Sequence, residues 1–430
     1  MPAHGSITEM AKAARTASLH LAAATLEERN RALNAIADEI EMNMPLILEA
    51  NARDMELAGA LSAPMLGRLQ LNDAKCARMS EGLRALAALP DPLGKVQYAK
   101  EISPGLNLYR VTCPIGVVGV IFESRPDALV QISSLCLKSG NAVLLKGGRE
   151  AAHTNEALAA LIVRATSSAG MPQDWCGLLH SREDVQEMLK QHESIDLIIP
   201  RGSNAFVRYI MQNSEIPVLG HAEGLCHVYV DDACDLEMAV KVAVDSKAQN
   251  LSVCNAAETL LVHRKIAEAL LPTLADALTE KHVALRGDEA VCAMIPCQPA
   301  VEMDWHTEYL DAILSIKIVD SLQEAIDHIN RYGSHHTDCI VTSSAAHART
   351  FMTLVDSADV FQNCSTRFAD GFLFGFGAEV GIATGKLHAR GPMGMEGLCT
   401  YKYQLYGSGQ TLAELGELSL THAALEPKLP

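Results

Sequence analysis

One of the twelve cysteines, Cys254, lies in a polar segment of the kind that can activate a thiol. The segment reads Asn250-Leu-Ser-Val-Cys254-Asn and is predicted to form a turn between a helix and a strand, at the edge of a domain. Amides at a turn or a helix end stabilise the thiolate, which is the nucleophilic form of cysteine. Most cysteines are instead buried as small hydrophobic side chains, so a structural role for Cys254 stays open.

Arginines near the ends of predicted strands form a second group of candidates: Arg125, Arg201, Arg367 and Arg390. Arginine can bind a phosphate or a carboxylate through two parallel hydrogen bonds. The chain has 35 basic and 52 acidic residues, a net charge of −17, so an anionic substrate needs such a local cluster. The same charge makes nucleic acid an unexpected partner. Each arginine could instead satisfy a neighbouring carbonyl or carboxylate.

Two glycine-containing turns are candidates for binding a nucleotide. Lys146-Gly-Gly-Arg149 and Gly202-Ser203 each lie where a predicted strand passes into a predicted helix, a position that receives phosphate and ribose oxygens well. The alternatives are a plain turn with solvated charges and a simple N-cap at Ser203. The Gly-x-Gly-x-x-Gly fingerprint is not formed by Gly375-Phe-Gly377 and Gly381, so any nucleotide must bind in another way.

The histidines and the remaining cysteines do not predict a metal centre. His221, His263, His335 and His336 lack the spacing of metal ligands, and no His-Glu-x-x-His motif occurs. The cysteines form no Cys-x-x-Cys pair, which favours reduced thiols over a disulfide scaffold or a zinc site. No feature of the sequence places a histidine beside Cys254.

Hydrophobic periodicity predicts an α/β protein preceded by helices. Residues 7–90 have helical spacing, with a capping box from Thr25 to Glu28, and an extended arm follows at 106–113. From Ile115 strands and helices alternate as far as a short predicted strand at Pro217–Leu219, and this alternation predicts a parallel sheet covered on both faces. A second α/β block begins at Cys226, and the tail, 388–430, is predicted to contain tyrosine-rich turns that could pair with a neighbouring subunit.

These elements divide the chain into a helical part with the first α/β block (1–98 and 113–224), a second α/β block (225–387), and an extended arm with a tail (99–112 and 388–430). The longest apolar runs are far shorter than the roughly 20 residues that a bilayer requires. The first twenty residues contain no continuous apolar stretch, so no signal peptide is expected and the cytoplasm is the predicted location.

Together these segments resemble the γ-glutamyl phosphate reductase family, a branch of the aldehyde dehydrogenase superfamily. The resemblance runs along nearly the whole chain. Its most characteristic stretches are Pro114-Ile-Gly-Val-Val-Gly-Val-Ile-Phe-Glu-Ser-Arg-Pro126, Ile198-Ile-Pro-Arg-Gly202, Cys254-Asn-Ala-Ala-Glu-Thr-Leu-Leu261, Ser365-Thr-Arg-Phe368 and Lys386-Leu-His-Ala-Arg-Gly-Pro-Met-Gly394.

The resemblance implies an aldehyde dehydrogenase-like α/β fold, with a Rossmann-type cofactor domain, an α/β catalytic domain and a small oligomerisation arm. It implies NADPH-dependent reduction of L-glutamyl 5-phosphate to L-glutamate 5-semialdehyde with release of phosphate, the second step of proline biosynthesis. Cys254 would form a thioester, and the nicotinamide nucleotide would supply the hydride. A homo-oligomer and a possible glutamate 5-kinase partner are further expectations.

The resemblance also assigns the cofactor-binding residues. Lys146 matches the lysine that holds the adenosine ribose. Arg149 stands where NAD-preferring relatives have a glutamate, and an arginine there favours the 2′-phosphate of NADP. Gly202 and Ser203 match the pair near the pyrophosphate, and Glu308 matches the glutamate that binds the nicotinamide ribose.

Two departures from the superfamily pattern affect the expected chemistry. Gly220 stands where hydrolytic aldehyde dehydrogenases have a general-base glutamate, so water should be poorly activated and phosphate should be the better acyl acceptor. The usual oxyanion asparagine is missing, and we expect Arg125 and the backbone N–H of Cys254 to share the oxyanion or the phosphate. Substrate-binding roles are expected for Arg201, Arg367 and Arg390.

Three alternatives remain at this point. A non-phosphorylating aldehyde dehydrogenase acting on a small acidic semialdehyde is disfavoured by Gly220. A thiol acyltransferase or hydrolase without a nucleotide would need a histidine beside Cys254. A non-catalytic binding module is disfavoured because Cys254 occurs together with the cofactor-side residues.

Overall fold

The chain folds into two parallel α/β layers joined by a smaller antiparallel sheet, as seen in a computed structural model that describes residues 5–59, 61, 63–123, 125–414 and 419–430. The N-terminal part is helical, as predicted. Its helices are α1 (Ile7–Ala23), α2 (Leu26–Met42), α3 (Met44–Leu57), α4 (Ala63–Leu69) and α5 (Asp73–Ala88). The predicted capping box is confirmed, because the amide of Glu28 donates to Thr25 Oγ1 (3.2 Å) and the amide of Thr25 donates to Glu28 Oε2 (2.8 Å).

The first parallel sheet has the strand order β5-β4-β3-β6. Its strands and helices alternate along the chain as β3 (Val117–Ile121), α6 (Pro126–Lys138), β4 (Ala142–Lys146), α7 (Ala152–Ser168), β5 (Cys176–Leu178), α8 (Arg182–Met188), β6 (Leu197–Pro200) and α9 (Asn204–Asn213). Every residue of β3 is buried, because helices cover both faces of the sheet. This arrangement is the predicted Rossmann-type layer.

The second parallel sheet has the strand order β10-β9-β11-β8-β7-β12-β13. Its elements are β7 (Cys226–Val230), α10 (Leu236–Ala248), β8 (Ala257–His263), α11 (Arg264–Glu280), β9 (Ala284–Gly287), α12 (Glu289–Cys292), β10 (Gln298–Pro299), β11 (Ile313–Val319), α13 (Leu322–Tyr332), β12 (Thr337–Val341), α14 (Ala345–Leu354) and β13 (Asp359–Gln362). Separate apolar clusters cover its two faces. Strands β7, β8 and β12 lie at its centre, and every residue in them is buried.

The antiparallel sheet has the order β16-β2-β1-β17 and contains the predicted extended arm. Its strands are β1 (Val96–Ser103), β2 (Leu106–Pro114), β16 (Cys399–Tyr406) and β17 (Ala423–Ala424), and a small pair formed by β14 (Gly381–Ala383) and β15 (Gly391–Met393) precedes β16. The tyrosine-rich stretch 399–406 was expected to form turns, and this expectation is wrong. It is an edge strand because its backbone pairs with β2 along the whole of its length.

One smaller expectation also needs correction. Pro217–Leu219, predicted as a strand, forms only an isolated bridge between Val218 and Ile198. Among the helices of the described residues, none combines the length and the apolar character needed to cross a membrane.

Candidate active site

Cys254 lies in the turn between α10 and β8 and is partly exposed. The backbone beside it is held from several directions. The side-chain Nδ2 of the buried Asn255 donates to the carbonyl of Ala369 (2.9 Å). The backbone carbonyl of Asn255 accepts from Thr366 Oγ1 (2.7 Å). The thiol of Cys226 donates to the carbonyl oxygen of Cys254 (3.2 Å). These contacts fix the turn and leave the sulfur of Cys254 accessible.

The order of strands in the second sheet brings distant segments to this turn. Strands β8, β7 and β12 are adjacent and parallel, so their amino ends lie at one edge of the sheet. Cys254 precedes β8, and His336 directly precedes β12. The sulfur of Cys254 and one ring nitrogen each of His221 and His336 lie within 4.8 Å of one another.

No feature of the sequence clearly indicates a histidine beside Cys254, but the structure places two there. The reason is that His221 and His336 belong to segments that lead into two different strands, and only the order of the strands in the sheet makes them neighbours. A weak signal was present in the sequence, since His221 directly follows Gly220, the position of the missing general base.

Each histidine is oriented by a hydrogen bond at Nδ1. In His221 this nitrogen lies 2.9 Å from the carbonyl oxygen of Ile382, and in His336 it lies 2.8 Å from Thr337 Oγ1. The two rings pack edge to face with centroids 4.8 Å apart. Loss of hydration lowers the pKa of His221, and therefore this ring is neutral at pH 7.

Two of the predicted substrate arginines lie within electrostatic range of Cys254. Arg201 follows β6, and Arg367 lies in a 3₁₀ turn at Thr366–Phe368, where its Nε donates to Gln249 Oε1 (2.9 Å). Burial lowers the pKa of both guanidinium groups, and the sulfur of Cys254 opposes the shift in each. The two arginines therefore place positive charge near the sulfur and make this environment suitable for an anionic substrate.

Two other features surround Arg201. The carboxyl group of Glu379 raises its pKa and the guanidinium of Arg125 lowers it, so Arg125 and Arg201 are close enough to repel each other. No hydrogen bond or ion pair joins the guanidinium of Arg201 to another described residue. Buried cations are normally paired, so this group has capacity for an anionic ligand.

The remaining two predicted arginines are already paired. Arg125 stands at the N-cap position of α6, where its side chain makes no capping hydrogen bond, and it forms an ion pair with Asp127 (3.0 Å). Arg390 donates to the carbonyl of Asp356 (3.0 Å) and forms an ion pair with its carboxylate (3.2 Å), which also binds Lys386 (2.7 Å). The structure therefore places Arg390 in an ion-pair network with Asp356 and Lys386.

The predicted adenosine-side residues lie at the carboxyl end of β4. Lys146 is the last residue of that strand, and burial lowers its pKa, with Glu150 opposing the shift. Arg149 opens a 3₁₀ turn and is exposed, with no hydrogen bond or ion pair from its guanidinium to a described residue. An unpaired cation at this end of a parallel strand suits a phosphate.

The predicted pyrophosphate-side residues lie between β6 and α9. Ser203 is at the N-cap position of α9, but its side chain makes no capping hydrogen bond. The backbone N–H of Ser203 donates to the carboxylate of Glu123 instead, and a β-carbon on Gly202 would lie 2.9 Å from Glu123 Cδ. Burial raises the pKa of Glu123, and the nearby Glu150 raises it further. Sequence reasoning did not identify Glu123, although it lies within a characteristic stretch.

Glu308 connects the two sides of the site. Its Oε2 accepts from Asn204 Nδ2 (2.7 Å) at the start of α9, and its Oε1 accepts from the backbone N–H of Gly224 (2.9 Å). Gly224 packs directly on the Cys254 turn, since a β-carbon there would lie 2.0 Å from the carbonyl oxygen of Cys254. Glu308 thus links the α9 end of the first layer to the nucleophile turn of the second.

Comparisons with known proteins assign this arrangement to a family. The Aldehyde dehydrogenase family model matches residues 3–304. A γ-glutamyl phosphate reductase from Acetivibrio thermocellus is 54% identical over 429 residues, covering 99% of this chain and 100% of the relative. The crystal structure of γ-glutamyl phosphate reductase from Thermotoga maritima is 40% identical, covers 94% of this chain and 99% of its own, and has a TM-score of 0.92.

A more distant solved structure has the same fold. An engineered glycolyl-CoA reductase with bound NADP+ is 17% identical, covers 93% of this chain and 96% of its own, and has a TM-score of 0.65. Aldehyde dehydrogenases use nicotinamide cofactors. The chain belongs to the γ-glutamyl phosphate reductases, a branch of the aldehyde dehydrogenase family.

Proposed function

We propose that this chain reduces L-glutamyl 5-phosphate to L-glutamate 5-semialdehyde with NADPH, releasing phosphate, and that it performs the second step of proline biosynthesis. The observation that carries the proposal is a partly exposed Cys254 on a rigid turn with the cations Arg201 and Arg367 within electrostatic range. Both the acyl phosphate and the thiolate are anionic, so one cationic environment serves both.

The covalent part of the reaction uses groups of this chain. The sulfur of Cys254 forms a bond with the acyl carbon, the bond from that carbon to the phosphate oxygen breaks, and the product is a thioester with free phosphate. The backbone N–H of Cys254 and the guanidinium of Arg125 would stabilise the oxyanion, with Arg201 as a further donor close to Arg125. Reduction then releases the aldehyde and returns the thiolate.

NADPH fits the residues at the ends of the first sheet. Lys146 would hold the adenosine ribose, Arg149 the 2′-phosphate, Gly202 and Ser203 the pyrophosphate, and Glu308 the nicotinamide ribose. The fit is supported by the unpaired guanidinium of Arg149 and by the amide of Ser203 at the start of α9. When bound, the nucleotide supplies a hydride to the acyl carbon.

We propose that Arg201, Arg367 and Arg390 bind the charges of the substrate, with Arg390 exchanging its ion pair with Asp356 for the substrate. A non-phosphorylating aldehyde dehydrogenase remains the alternative. It would need a base to activate water for thioester hydrolysis, and Gly220 has no side chain at the position where hydrolytic relatives carry that base, so the assay with and without phosphate decides between the two.

We further propose the arm as the site of homo-oligomer formation. Strand β16 is at the edge of its sheet and exposes Tyr401, Tyr403 and Leu405, so its free backbone groups and apolar side chains suit a second copy. The cytoplasm is the proposed location, because all twelve cysteines are free thiols. An association with glutamate 5-kinase would protect the reactive acyl phosphate from water.

The proposal is tested by oxidation of glutamate semialdehyde with NADP in the presence and absence of phosphate. Absorbance of NADPH should rise only when phosphate is present, and oxidation that needs no phosphate would support the alternative. Cys254→Ser should abolish turnover while leaving the Kd of NADPH largely unchanged. Cys234→Ser, another partly exposed cysteine, is the matched control and should retain activity.

A further inference from the structure

Two histidines, His221 and His336, adjoin the nucleophile, and the proposed covalent steps do not yet use them. A carbonyl oxygen can only accept a hydrogen bond, so Nδ1 of His221 carries the proton that is donated to Ile382 (2.9 Å). In a neutral ring the lone pair is then on Nε2. His221 is partly exposed, so this nitrogen can exchange protons with the site.

His336 also donates a hydrogen bond through Nδ1, but its environment is different. The hydroxyl of Thr337 donates to Asp359 Oδ2 (3.4 Å), and it therefore accepts from Nδ1 of His336. Nε2 of His336 is buried and has no hydrogen-bond partner among the described residues. The His336 side chain is fully buried, so it cannot exchange protons with solvent, and its ring packs edge to face on His221.

We propose that His221 transfers protons to and from Cys254 and the leaving phosphate, and that His336 is a positioning residue that holds the His221 ring. The inference rests on the proposed function. The two histidines and Cys254 are placed for these roles by the strand order β8-β7-β12 and by the orienting contacts to Ile382 and Thr337.

The proton and electron balance of the first half-reaction explains why such a residue is needed. Nε2 of His221 takes the proton of the Cys254 thiol, and the sulfur electron pair forms the bond to the acyl carbon. The bond from carbon to the phosphate oxygen breaks, and its electron pair leaves with the phosphate. Unprotonated, that group would depart as the trianion, which is a poor leaving group. The imidazolium of His221 gives its proton to the departing oxygen, so hydrogen phosphate is released and the ring is neutral again.

The second half-reaction needs one proton from solvent. Reduction of the thioester breaks the carbon–sulfur bond, and the electron pair returns to Cys254 as a thiolate. A proton taken up by His221 from solvent restores the thiol. The net change is the consumption of one proton with each acyl phosphate and NADPH, as the overall reaction requires.

The groups around His221 predict how the reaction depends on pH. Loss of hydration lowers its pKa, the carbonyl of Ile382, Glu308 and Glu379 oppose this shift, and Arg201 adds to it. Its other neighbours are Cys254 and His336, and behind His336 burial raises the pKa of Asp359 to about 6. Since His221 must be neutral to accept the thiol proton, kcat/KM should fall on the acid side as this ring is protonated.

His221→Asn tests the proposal, because an asparagine amide can still donate to Ile382 but has no base at the position of Nε2. We expect kcat/KM to fall about 10²- to 10⁴-fold and the acid limb of the pH profile to disappear, with an unchanged Kd for NADPH. The matched control is His335→Asn, since His335 also contacts a backbone carbonyl, that of Asp356, but is not within this cluster. If His221→Asn lowers the Tm, His221→Gln decides the question. Retention of wild-type kcat/KM and pH profile by the folded variant overturns the proposal.

Acyl donors with different leaving groups distinguish proton transfer by His221 from a structural role of this residue. Acylation of Cys254 by p-nitrophenyl acetate releases a phenolate that departs without protonation. His221→Asn should therefore slow this acylation much less than it slows phosphate release from the acyl phosphate, and equal losses would contradict the role at the leaving group.

His336→Asn should lower kcat about tenfold and shift the acid limb without removing it. A Cys254→Ser variant with full activity would overturn the proposed function itself, which distinguishes the two failures.

Discussion

The backbone of Gly224 and the carbonyl of Cys254 lie so close that no side chain fits between them. A β-carbon on Gly224 would be 2.0 Å from the carbonyl oxygen and 2.7 Å from the α-carbon of Cys254. The Gly224 amide also donates to Glu308 (2.9 Å). Gly224 therefore contacts the Cys254 turn through its α-carbon and contacts Glu308 through its backbone nitrogen. The position of the sulfur thus depends on a glycine in a different segment.

We therefore expect Gly224→Ala to displace the Cys254 turn. The variant should lose about 1–3 kcal/mol of stability, and kcat should fall by at least tenfold because small displacements of reacting groups are costly. Thermal unfolding and steady-state kinetics measure the two effects. Gly82→Ala in α5 is the control, since a β-carbon there meets nothing within 4 Å, and it should be stable and active. A Gly224→Ala enzyme with wild-type Tm and kcat would show that the turn relaxes freely.

Arg149→Glu should change the preference between the two nicotinamide nucleotides. Arg149 is exposed and unpaired, so the substitution should affect stability by less than about 0.5 kcal/mol. Loss of the 2′-phosphate contact should shift the ratio of kcat/KM for NADPH over NADH toward NADH by about tenfold or more. Arg182→Glu makes the same charge change nearby on α8 and should shift the ratio much less. Equal shifts would mean that only the general charge matters.

Glu123 should compete with the nucleotide for the amide of Ser203. Its pKa is raised, chiefly by burial, so it takes up a proton at a higher pH than an ordinary carboxyl group does, and this removes a negative charge from the predicted pyrophosphate position. In the wild type we expect the Kd of NADPH to fall as pH decreases. Glu123→Gln should bind NADPH more tightly at pH 8, by about 1 kcal/mol or roughly fivefold, with a weaker dependence on pH. Fluorescence titration measures the Kd of NADPH at each pH. Glu183→Gln, at an exposed position, is the control. Weaker binding by Glu123→Gln would contradict the competition.

The buried ion pair of Lys247 and Glu258 gives a stability prediction. Their charged atoms are 2.5 Å apart, both side chains are buried, and burial raises the pKa of Glu258 to about 7 although Lys247 opposes the shift. In Lys247→Met the folded-state pKa of Glu258 should rise further above its unfolded value. The variant's stability is then greatest below the unfolded pKa and is lost as pH rises, with a deficit of about 3–5 kcal/mol at pH 8. Thermal unfolding at pH 5 and pH 8 tests the sign.

A double variant provides the control for that experiment. Lys247→Met with Glu258→Gln removes the titrating carboxyl, so its stability should depend less on pH than that of the single variant. A single variant that is more stable at pH 8 than at pH 5 would contradict the assignment of the shift to Glu258.

Local sequence determined most of the fold of this protein. The capping box from Thr25 to Glu28, the helix over 126–138 and the buried strands β3, β4, β7 and β8 follow from hydrophobic spacing and from helix-end residues, which act over only a few positions. The main error was the prediction of turns where β16 forms. Pairing with β2, more than 280 residues earlier in the chain, overrides the tendency of this segment to form turns. Strand pairing is a property of two segments, and one of them alone does not specify it.

The sequence also determined which types of residue do the chemistry, but only the tertiary structure decided which of them meet. Cys254, Arg201 and Arg367 could be named from their local context and from family resemblance. His221, His336 and Gly224 could not, because they lie in loops that precede different strands, and the order β8-β7-β12 alone brings them to one edge. The ion pair between Arg390 and Asp356 is also decided by the tertiary structure, because local sequence does not indicate that these two residues meet. Electrostatic interactions and hydrogen bonds depend on distances in space, and distance in space is set by the packing of strands that are far apart in the chain.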